Sequence, residues 1–318
     1  HPDAVIVLTG CMPQAFPEDA RLLTQADIVT GNRSNKQIPD MIDEFFRTRE
    51  RIVRIAQHEN GEKFSGELIN DFRERTRATV KIEDGCNRFC SYCVIPYARG
   101  RVRSKPLEDI REEISSLEKK GFSEIVLVGI NLSAYGTDCG ASICDAVELA
   151  ASFDGIKRVR LGSLEPDHMT PEVTKRLAEC KKLCPQFHIS LQSGCDKTLK
   201  RMNRHYTVAE YEELCTRLRS EFEDTTLTTD VMVGFSGETK EDFEISRDFV
   251  KKIGFEKVHV FPYSRRTGTR AAEFPDVVEN AEKERRSREM IAAAGEVRHE
   301  FLERQIGRTV EVLFEEKL

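Results

Sequence analysis

Between residues 78 and 261, short apolar runs alternate with stretches whose apolar residues recur every three to four positions. The runs at 78–82, 124–128, 158–161, 187–191, 226–233 and 257–261 predict six strands whose starts lie 29 to 46 residues apart. That spacing leaves room for a helix in every connection, as parallel pairing requires. The helix signals agree. Leu107, Ile110, Ile114 and Leu117 share one face, with Ser104 as the expected cap and Gly121 as the stop. Thr170-Pro171 opens another helix, and "TVAE" (207–210) has capping-box spacing. Six such units predict an α/β fold with a partial (β/α)6 barrel, open on one side.

The flanks read differently. Residues 1–75 predict the C-terminal part of an α/β unit, with a strand at 5–8, a second within 25–31 and a helix at 38–46 that accepts Pro39 in its first turn. The polar stretch "QHENGEKFSGE" (57–67) punctuates the chain, which places a domain boundary near residue 75. The barrel then occupies 76–304, ending in a charged helix at 280–304. "RTVEVLFEEKL" (308–318) predicts the first strand of a small β module over 305–318, cut short. A chain that opens at His1 almost directly in a strand is expected to be a piece of a longer protein.

Composition narrows the classes. With 49 Lys plus Arg against 55 Asp plus Glu, the formal charge of -6 gives no global pull toward a polyanion, so any such site must be local. Ten cysteines in 318 residues are about 3%, well short of the ~8–10% of disulfide scaffolds. Reduced thiols in a cytoplasmic protein fit better. No apolar run approaches the ~18 residues of a membrane span. "AVIVLTGC" (4–11) superficially resembles a lipoprotein cleavage box, but its apolar run is too short and no basic region precedes it, so a strand is expected.

The chemistry concentrates in "DGCNRFCSYCVIPYARGRVRS" (84–104), directly after the first barrel strand. Loops at that end of parallel barrels hold active sites. Three readings of Cys86, Cys90 and Cys93 compete. A structural zinc ion wants four ligands, and the next cysteine is Cys139, with no histidine close by. A redox pair would use Cys90 and Cys93 and leave Cys86 idle. A 4Fe-4S cluster with three thiolates would keep one iron open to a further ligand.

Here the sequence resembles a known family. CxxxCxxC after the first strand resembles the signature of the radical S-adenosylmethionine (SAM) superfamily. Together with "GINLSAYG" (129–136), "RLGSLEP" (160–166), "HISLQSGCDKTLKRMNRHY" (188–206), "TTDVMVGFSGET" (228–239) and "HVFPYSRRTGT" (259–269), it resembles the tRNA methylthiotransferases, above all the branch acting on threonylcarbamoyladenosine. Ser236 departs from the proline usual in "GFPGET", which should alter loop stiffness rather than remove a ligand.

The resemblance implies SAM and two 4Fe-4S clusters as cofactors. Cys86, Cys90 and Cys93 would hold the cluster that binds and cleaves SAM. Tyr92 would pack on its adenine, or else be a core tyrosine. Gly129 and Asn131 match the contact to its amino group; Ser190 and Gln192 would reach the ribose or carboxylate, or satisfy neighbouring loops. Arg204 would grip the carboxylate, or form an ion pair. Val233, Gly234 and Gly237 would let backbone approach the adenosine. Cys11, in "TGCMPQ", resembles a ligand of the auxiliary, sulfur-donating cluster, with two companions expected upstream of His1. The chain as given cannot complete that site, so SAM cleavage without product is expected of it. The remaining six cysteines carry no such context. In the family, one SAM methylates a cluster sulfur, and a second yields the radical that takes the hydrogen from C2 of the target adenine.

Arg99, Arg101, Arg103 and Lys105 place four cations within seven residues, and Lys197, Lys200, Arg201 and Arg204, then Arg265, Arg266 and Arg270, follow later strands. They are expected to converge as a basic rim for phosphate contacts, although a charge run is more often a solvated face. The implied partners are tRNA, through its anticodon loop, and an electron donor such as flavodoxin or ferredoxin, with no membrane.

Overall fold

A computed structural model describes residues 4–66 and 76–314. The boundary expected at residue 75 lies outside the described residues. In the first unit, β1 (Val7–Leu8), β2 (Ile28–Thr30) and β3 (Ile52–Arg54) form a parallel sheet in that order. Around it lie α1 (Cys11–Ala15), α2 (Pro17–Leu22) and α3 (Ile38–Thr48). Successive residues of β2 point to opposite faces: Val29 packs with Ala20 of α2, Ile28 with Met41 of α3. A strand covered on both faces reads as an unbroken apolar run.

In the second unit β4 (Ala78–Lys81) is followed by β5 (Glu83–Asp84), β6 (Arg103–Ser104), β7 (Glu124–Val128), β8 (Arg158–Leu161), β9 (Ser163–Leu164), β10 (Gln186–Ile189), β11 (Thr226–Val233) and β12 (Lys257–Pro262). Parallel pairing runs β4-β7-β8 and β9-β10-β11-β12, and β8 and β9 are one strand interrupted at Gly162. The array therefore follows chain order, as short right-handed βα crossovers produce. Its helices are α4 (Ile95–Arg99), α5 (Leu107–Lys119), α6 (Ile143–Ala151), α7 (Pro171–Ala178), α8 (Asp196–Arg201), α9 (Val208–Glu221), α10 (Lys240–Ile253) and α11 (Asn280–Glu303). Thr170 accepts from the Val173 amide, and Thr207 with Glu210 forms the expected capping box. None of the helices among the described residues is long and apolar enough to cross a membrane.

Two expectations need correction. Ser104 does not cap α5, whose cap is Pro106; antiparallel pairing of β5 with β6 draws Ser104 into a strand, where its Oγ accepts the Gly136 amide at 2.7 Å. Residues 308–314 form no strand. Val310, Val312 and Phe314 alternate as a strand would but are all exposed, and residues 308–314 pair with no strand among the described residues. Residues 315–318 lie outside the described residues.

Alternation along the barrel strands sorts core from lumen. Leu227, Val231 and Val233 of β11 enter the core beneath the helices with Phe243, Phe249 and Val250 of α10, while Thr228, Asp230 and Met232 face the other way. At the amino-terminal end of the lumen, buried Glu124 takes Arg158 at 2.9 Å and Arg160 at 2.6 Å. The carboxy-terminal end is left for the loops.

Candidate active site

The loop carrying Cys86, Cys90 and Cys93 leaves β5 at Gly85, whose φ of +92° suits glycine, and where a Cβ would sit 1.9 Å from the Arg101 carbonyl oxygen. The Cys86 amide donates to the Gly100 carbonyl and the Cys93 amide to the Cys90 carbonyl, both at 3.0 Å. Phe89, between them, is left-handed at φ +51°. Its carbonyl accepts Asn203 Nδ2 at 3.0 Å. The Ser91 amide and hydroxyl bond the Met202 and Arg201 carbonyls at 2.9 and 2.8 Å, and the Ser91 carbonyl takes the Ala271 amide at 2.7 Å. Arg88, buried, pairs with Asp167 and lies 3.2 Å from His205 Nδ1. The loop is thus clamped by segments that follow β9, β10 and β12.

The sulfurs have their own environment. Arg204 Nη1 lies 3.3 Å from Cys90 Sγ, and the Arg88 amide donates to Cys86 Sγ at 3.4 Å. Arg204 is buried, paired with Glu165, and stacks 5.0 Å from the Tyr206 ring centroid. Burial pushes the Cys86 thiol up to about 12 and raises Cys93, with Arg266 and Arg204 opposing the rise at Cys93. Without a bound cation these thiols stay protonated at neutral pH, whereas metal ligation takes the thiolate.

The triad suits a cluster better than a single ion. A tetrahedral zinc ion with ~2.3 Å bonds holds its sulfurs ~3.8 Å apart. Among the described residues, the one set of three donors all within 4.8 Å of each other is His188, Asp230 and His259, not the cysteines. Three thiols spread wider than one ion needs, two of them facing N–H donors, fit an iron–sulfur cluster whose charge those donors offset.

The other expected ligands gather around this loop with varied engagements. Tyr92 packs edge-on to Phe235, 6.2 Å between centroids, in an apolar group with Met202 and Tyr263. Asn131 is buried; its amide donates to Glu83 Oε2 at 2.7 Å, and a Cβ at Gly129 would come within 2.6 Å of the same oxygen. Ser190 is buried at the end of β10, and Gln192 beyond it is left-handed at φ +64°. Val233 is buried. Gly234 and Gly237 are both left-handed, and a Cβ on them would meet Lys283 and Arg201 respectively. Arg204 is committed to Glu165, Tyr206 and Cys90. Arg88, Glu165, Asp167 and Asn203 carry the loop and were not singled out from sequence; "RLGSLEP" and "KRMNRHY" were the only signal pointing to their neighbourhoods.

The basic rim is smaller than expected. Arg103 is buried and lies 3.6 Å from both Glu62 and Asp84, and Lys105 is buried in a pair with Glu113. These two do not reach a surface partner, because Glu62 and Asp84 for Arg103 and Glu113 of α5 for Lys105 neutralise them inside the fold. Arg99 is half-buried, 3.7 Å from Asp84. Arg101 is exposed and lies 4.7 Å above the Phe89 ring; Arg265, Arg266 and Arg270 are exposed too.

Cys11 begins α1. Asn32 Nδ2 lies 3.8 Å from its sulfur and 2.5 Å from the carbonyl of Ala98, five residues beyond Cys93. His58 Nε2 reaches the same carbonyl at 3.1 Å, so the first unit docks on the turn after the triad with Cys11 at the junction.

The profile of the Radical SAM superfamily matches residues 80–250. The threonylcarbamoyladenosine tRNA methylthiotransferase MtaB of Thermotoga maritima is 38% identical over 98% of this chain and 71% of its own length. The chain belongs to the radical SAM tRNA methylthiotransferase family. The family makes it an enzyme, with SAM and a 4Fe-4S cluster as its cofactors. The Bacillus subtilis protein of the same name is 35% identical over 99% of this chain and 70% of its length. A tRNA-2-methylthio-N(6)-dimethylallyladenosine synthase of Pelotomaculum thermopropionicum is 38% identical over 99% and 71%. The fold is similar to that of the cobalamin-dependent S-adenosylmethionine radical enzyme OxsB (TM-score 0.57, 15% identity, 93% of this chain, 43% of that one). It is also similar to coproporphyrinogen III oxidase of Escherichia coli (TM-score 0.53, 15% identity, 71% and 54%).

Proposed function

We propose that this enzyme installs a methylthio group at C2 of N6-threonylcarbamoyladenosine at position 37 of tRNA. Cys86, Cys90 and Cys93 hold the cluster that binds SAM, and Cys11 is one ligand of a second. The observation that carries the reading is the thiol loop at the barrel mouth with Arg204 and the Arg88 amide aimed at its sulfurs. When bound, the cluster and SAM supply a carbon-centred radical able to take hydrogen from an unactivated aromatic carbon. The chain's own residues bind, aim and exclude water. Tyr92, Gly129, Asn131, Ser190, Gln192, Val233, Gly234 and Gly237 line the space beside the loop as SAM contacts. Glu165 holds Arg204 against Cys90, offsetting thiolate charge in a site from which water is removed. Exposed Arg101, Arg265 and Arg266 meet the anticodon-loop phosphates. A flavodoxin- or ferredoxin-type donor delivers electrons, and the setting is the cytoplasm.

The base itself is argued from "YARGRVRS" and "SLEP", because relatives named for two different bases are equally identical to this chain. Methylthiolation by reconstituted enzyme that also carries the two companion ligands expected upstream of His1 is therefore assayed by mass spectrometry of nucleosides from tRNA carrying threonylcarbamoyladenosine or isopentenyladenosine, with the ribosomal-protein aspartate of the sister activity alongside. Product only on the first supports the reading. Anaerobic purification with zinc rather than iron, and no 5'-deoxyadenosine on reduction with SAM, would sink the enzyme in favour of an RNA-binding protein with a structural metal.

A further inference from the structure

His188, Asp230 and His259 take no part in the cysteine site, yet the strand register assembles them. Asp230 of β11 pairs with His259 of β12, and His188 of β10 pairs with Thr228, two residues before Asp230. All three sit on the same side of the sheet as Met232, opposite the core-facing Val231 and Ile189. One donor atom from each lies within 4.8 Å of the other two, including His188 Nε2 and Asp230 Oδ2 at 3.3 Å. The imidazole rings are 5.9 Å apart and tilted by 50°.

Three features separate this group from an ordinary lumen ion pair. Bonds of ~2.0–2.2 Å to nitrogen and oxygen put ligand atoms of one ion ~3–4 Å apart; His188 Nε2 and Asp230 Oδ2 lie at 3.3 Å, and the three donors together within 4.8 Å, close enough for one ion to draw in. His188 Nδ1 lies 3.0 Å from Thr228 Oγ1, the outer hydrogen bond that orients a ligating imidazole. The ion-pair partner of Asp230 among the described residues is an imidazole, that of His188, rather than a lysine or arginine, and its side chain is 28% exposed, which leaves room for a further ligand.

We propose that His188, Asp230 and His259 bind a divalent transition-metal ion in the barrel lumen. Two imidazoles and one carboxylate suit zinc, iron, cobalt or manganese and leave coordination positions open. Resting on the function proposed above, those positions receive the substrate. The N6 group of threonylcarbamoyladenosine carries a carboxylate and a hydroxyl, a chelating oxygen pair. An isopentenyl group offers the metal nothing. The ion then acts as a template that orients the base and selects it.

The test is cobalt titration of the Cys86→Ala/Cys90→Ala/Cys93→Ala protein under anaerobic conditions, with His188→Ala, His259→Ala and Asp230→Asn each made on that background. One equivalent should bind with visible d–d bands and no thiolate-to-cobalt charge transfer. Each ligand variant should raise the dissociation constant by at least the ~10–100-fold that removing a residue behind a ligand costs, with thermal melts unchanged. Binding that is insensitive to His188→Ala and His259→Ala, or that fails at protein stoichiometry, overturns the site. Added N6-threonylcarbamoyladenosine nucleoside should shift the cobalt bands while N6-isopentenyladenosine does not; a bound cobalt blind to both overturns the substrate half. Failure of the functional reading would look different: intact cobalt binding with methylthiolation of another base.

Discussion

Glu83 is the most sharply testable residue beside the cysteine loop. It is fully buried, its Oε2 accepts the Asn131 amide at 2.7 Å, and its Oε1 has no partner. Burial, with Asp84 next to it, lifts the carboxyl from 4.5 to about 8 against the pull of the Asn131 amide and Lys81. At acid pH both folded and unfolded chains hold this proton and the group costs nothing. As the pH rises past 4.5 the unfolded chain releases it first, so stability falls until the folded carboxyl ionises near 8. At ~1.4 kcal/mol per pH decade, the penalty is about 3 kcal/mol at pH 7 and about 5 above pH 8. Glu83→Gln keeps an oxygen for the Asn131 amide and has no charge to desolvate. Urea unfolding of the metal-free protein, followed by circular dichroism from pH 4.5 to 8.5, should give a mutant that gains on the parent steadily with pH. A difference that stays flat over this range, or one that favours the parent more as pH rises, would refute the reasoning.

Other outcomes follow from the same geometry. Arg204→Met strips the partner from half-buried Glu165 and should lower metal-free stability, by no more than the low end of the ~3–5 kcal/mol of a fully buried pair, most of it recovered in Arg204→Met/Glu165→Leu, as read from urea midpoints. Asn203 is left-handed at φ +58° and holds the Phe89 carbonyl. Asn203→Gly and Asn203→Ala should both reduce iron bound after reconstitution, but only the alanine should also pay the ~1–2 kcal/mol of a left-handed backbone. On tRNA, Arg101→Glu, Arg265→Glu or Arg266→Glu should weaken binding and lower the salt slope by about 1 for each phosphate no longer neutralised. Lys105→Met, at a buried pair, should lower the melting temperature and leave that slope alone.

What the sequence disclosed and what it hid follow physical lines. The expected bounds of β7, β8 and β11 match the structure, because β7 carries a nearly continuous apolar run and β8 and β11 alternate core-facing apolar residues with polar ones that face the lumen. The capping box at Thr207 was legible because both partners lie within four residues. The cysteine spacing was legible for the same reason. Arg103 misled because Glu62, which neutralises it, comes from another part of the chain; Lys105 misled because Glu113, eight residues on, is brought to it only by the fold of α5. Residues 308–314, the part of the expected terminal strand among the described residues, stay unpaired: alternation alone does not specify a strand without a partner.

The partners of the cysteine loop show why its geometry could not be read locally. Glu165 and Asp167 follow β9, Arg201 to His205 follow β10, and Ala271 follows β12, and each binds Arg204, a loop backbone group or Arg88. Bonds drawn from three strand ends meet on eight residues only if the array between them curves correctly. Stability of the sheet and placement of the sulfurs are therefore one property. A core change such as Phe243→Ala, remote from the thiols, should lower iron binding together with the melting temperature. The lumen residues His188, Asp230 and His259 depend on strand register alone, so a point change in the cysteine loop should leave them in place. This separability is why the two sites can be tested independently in one protein.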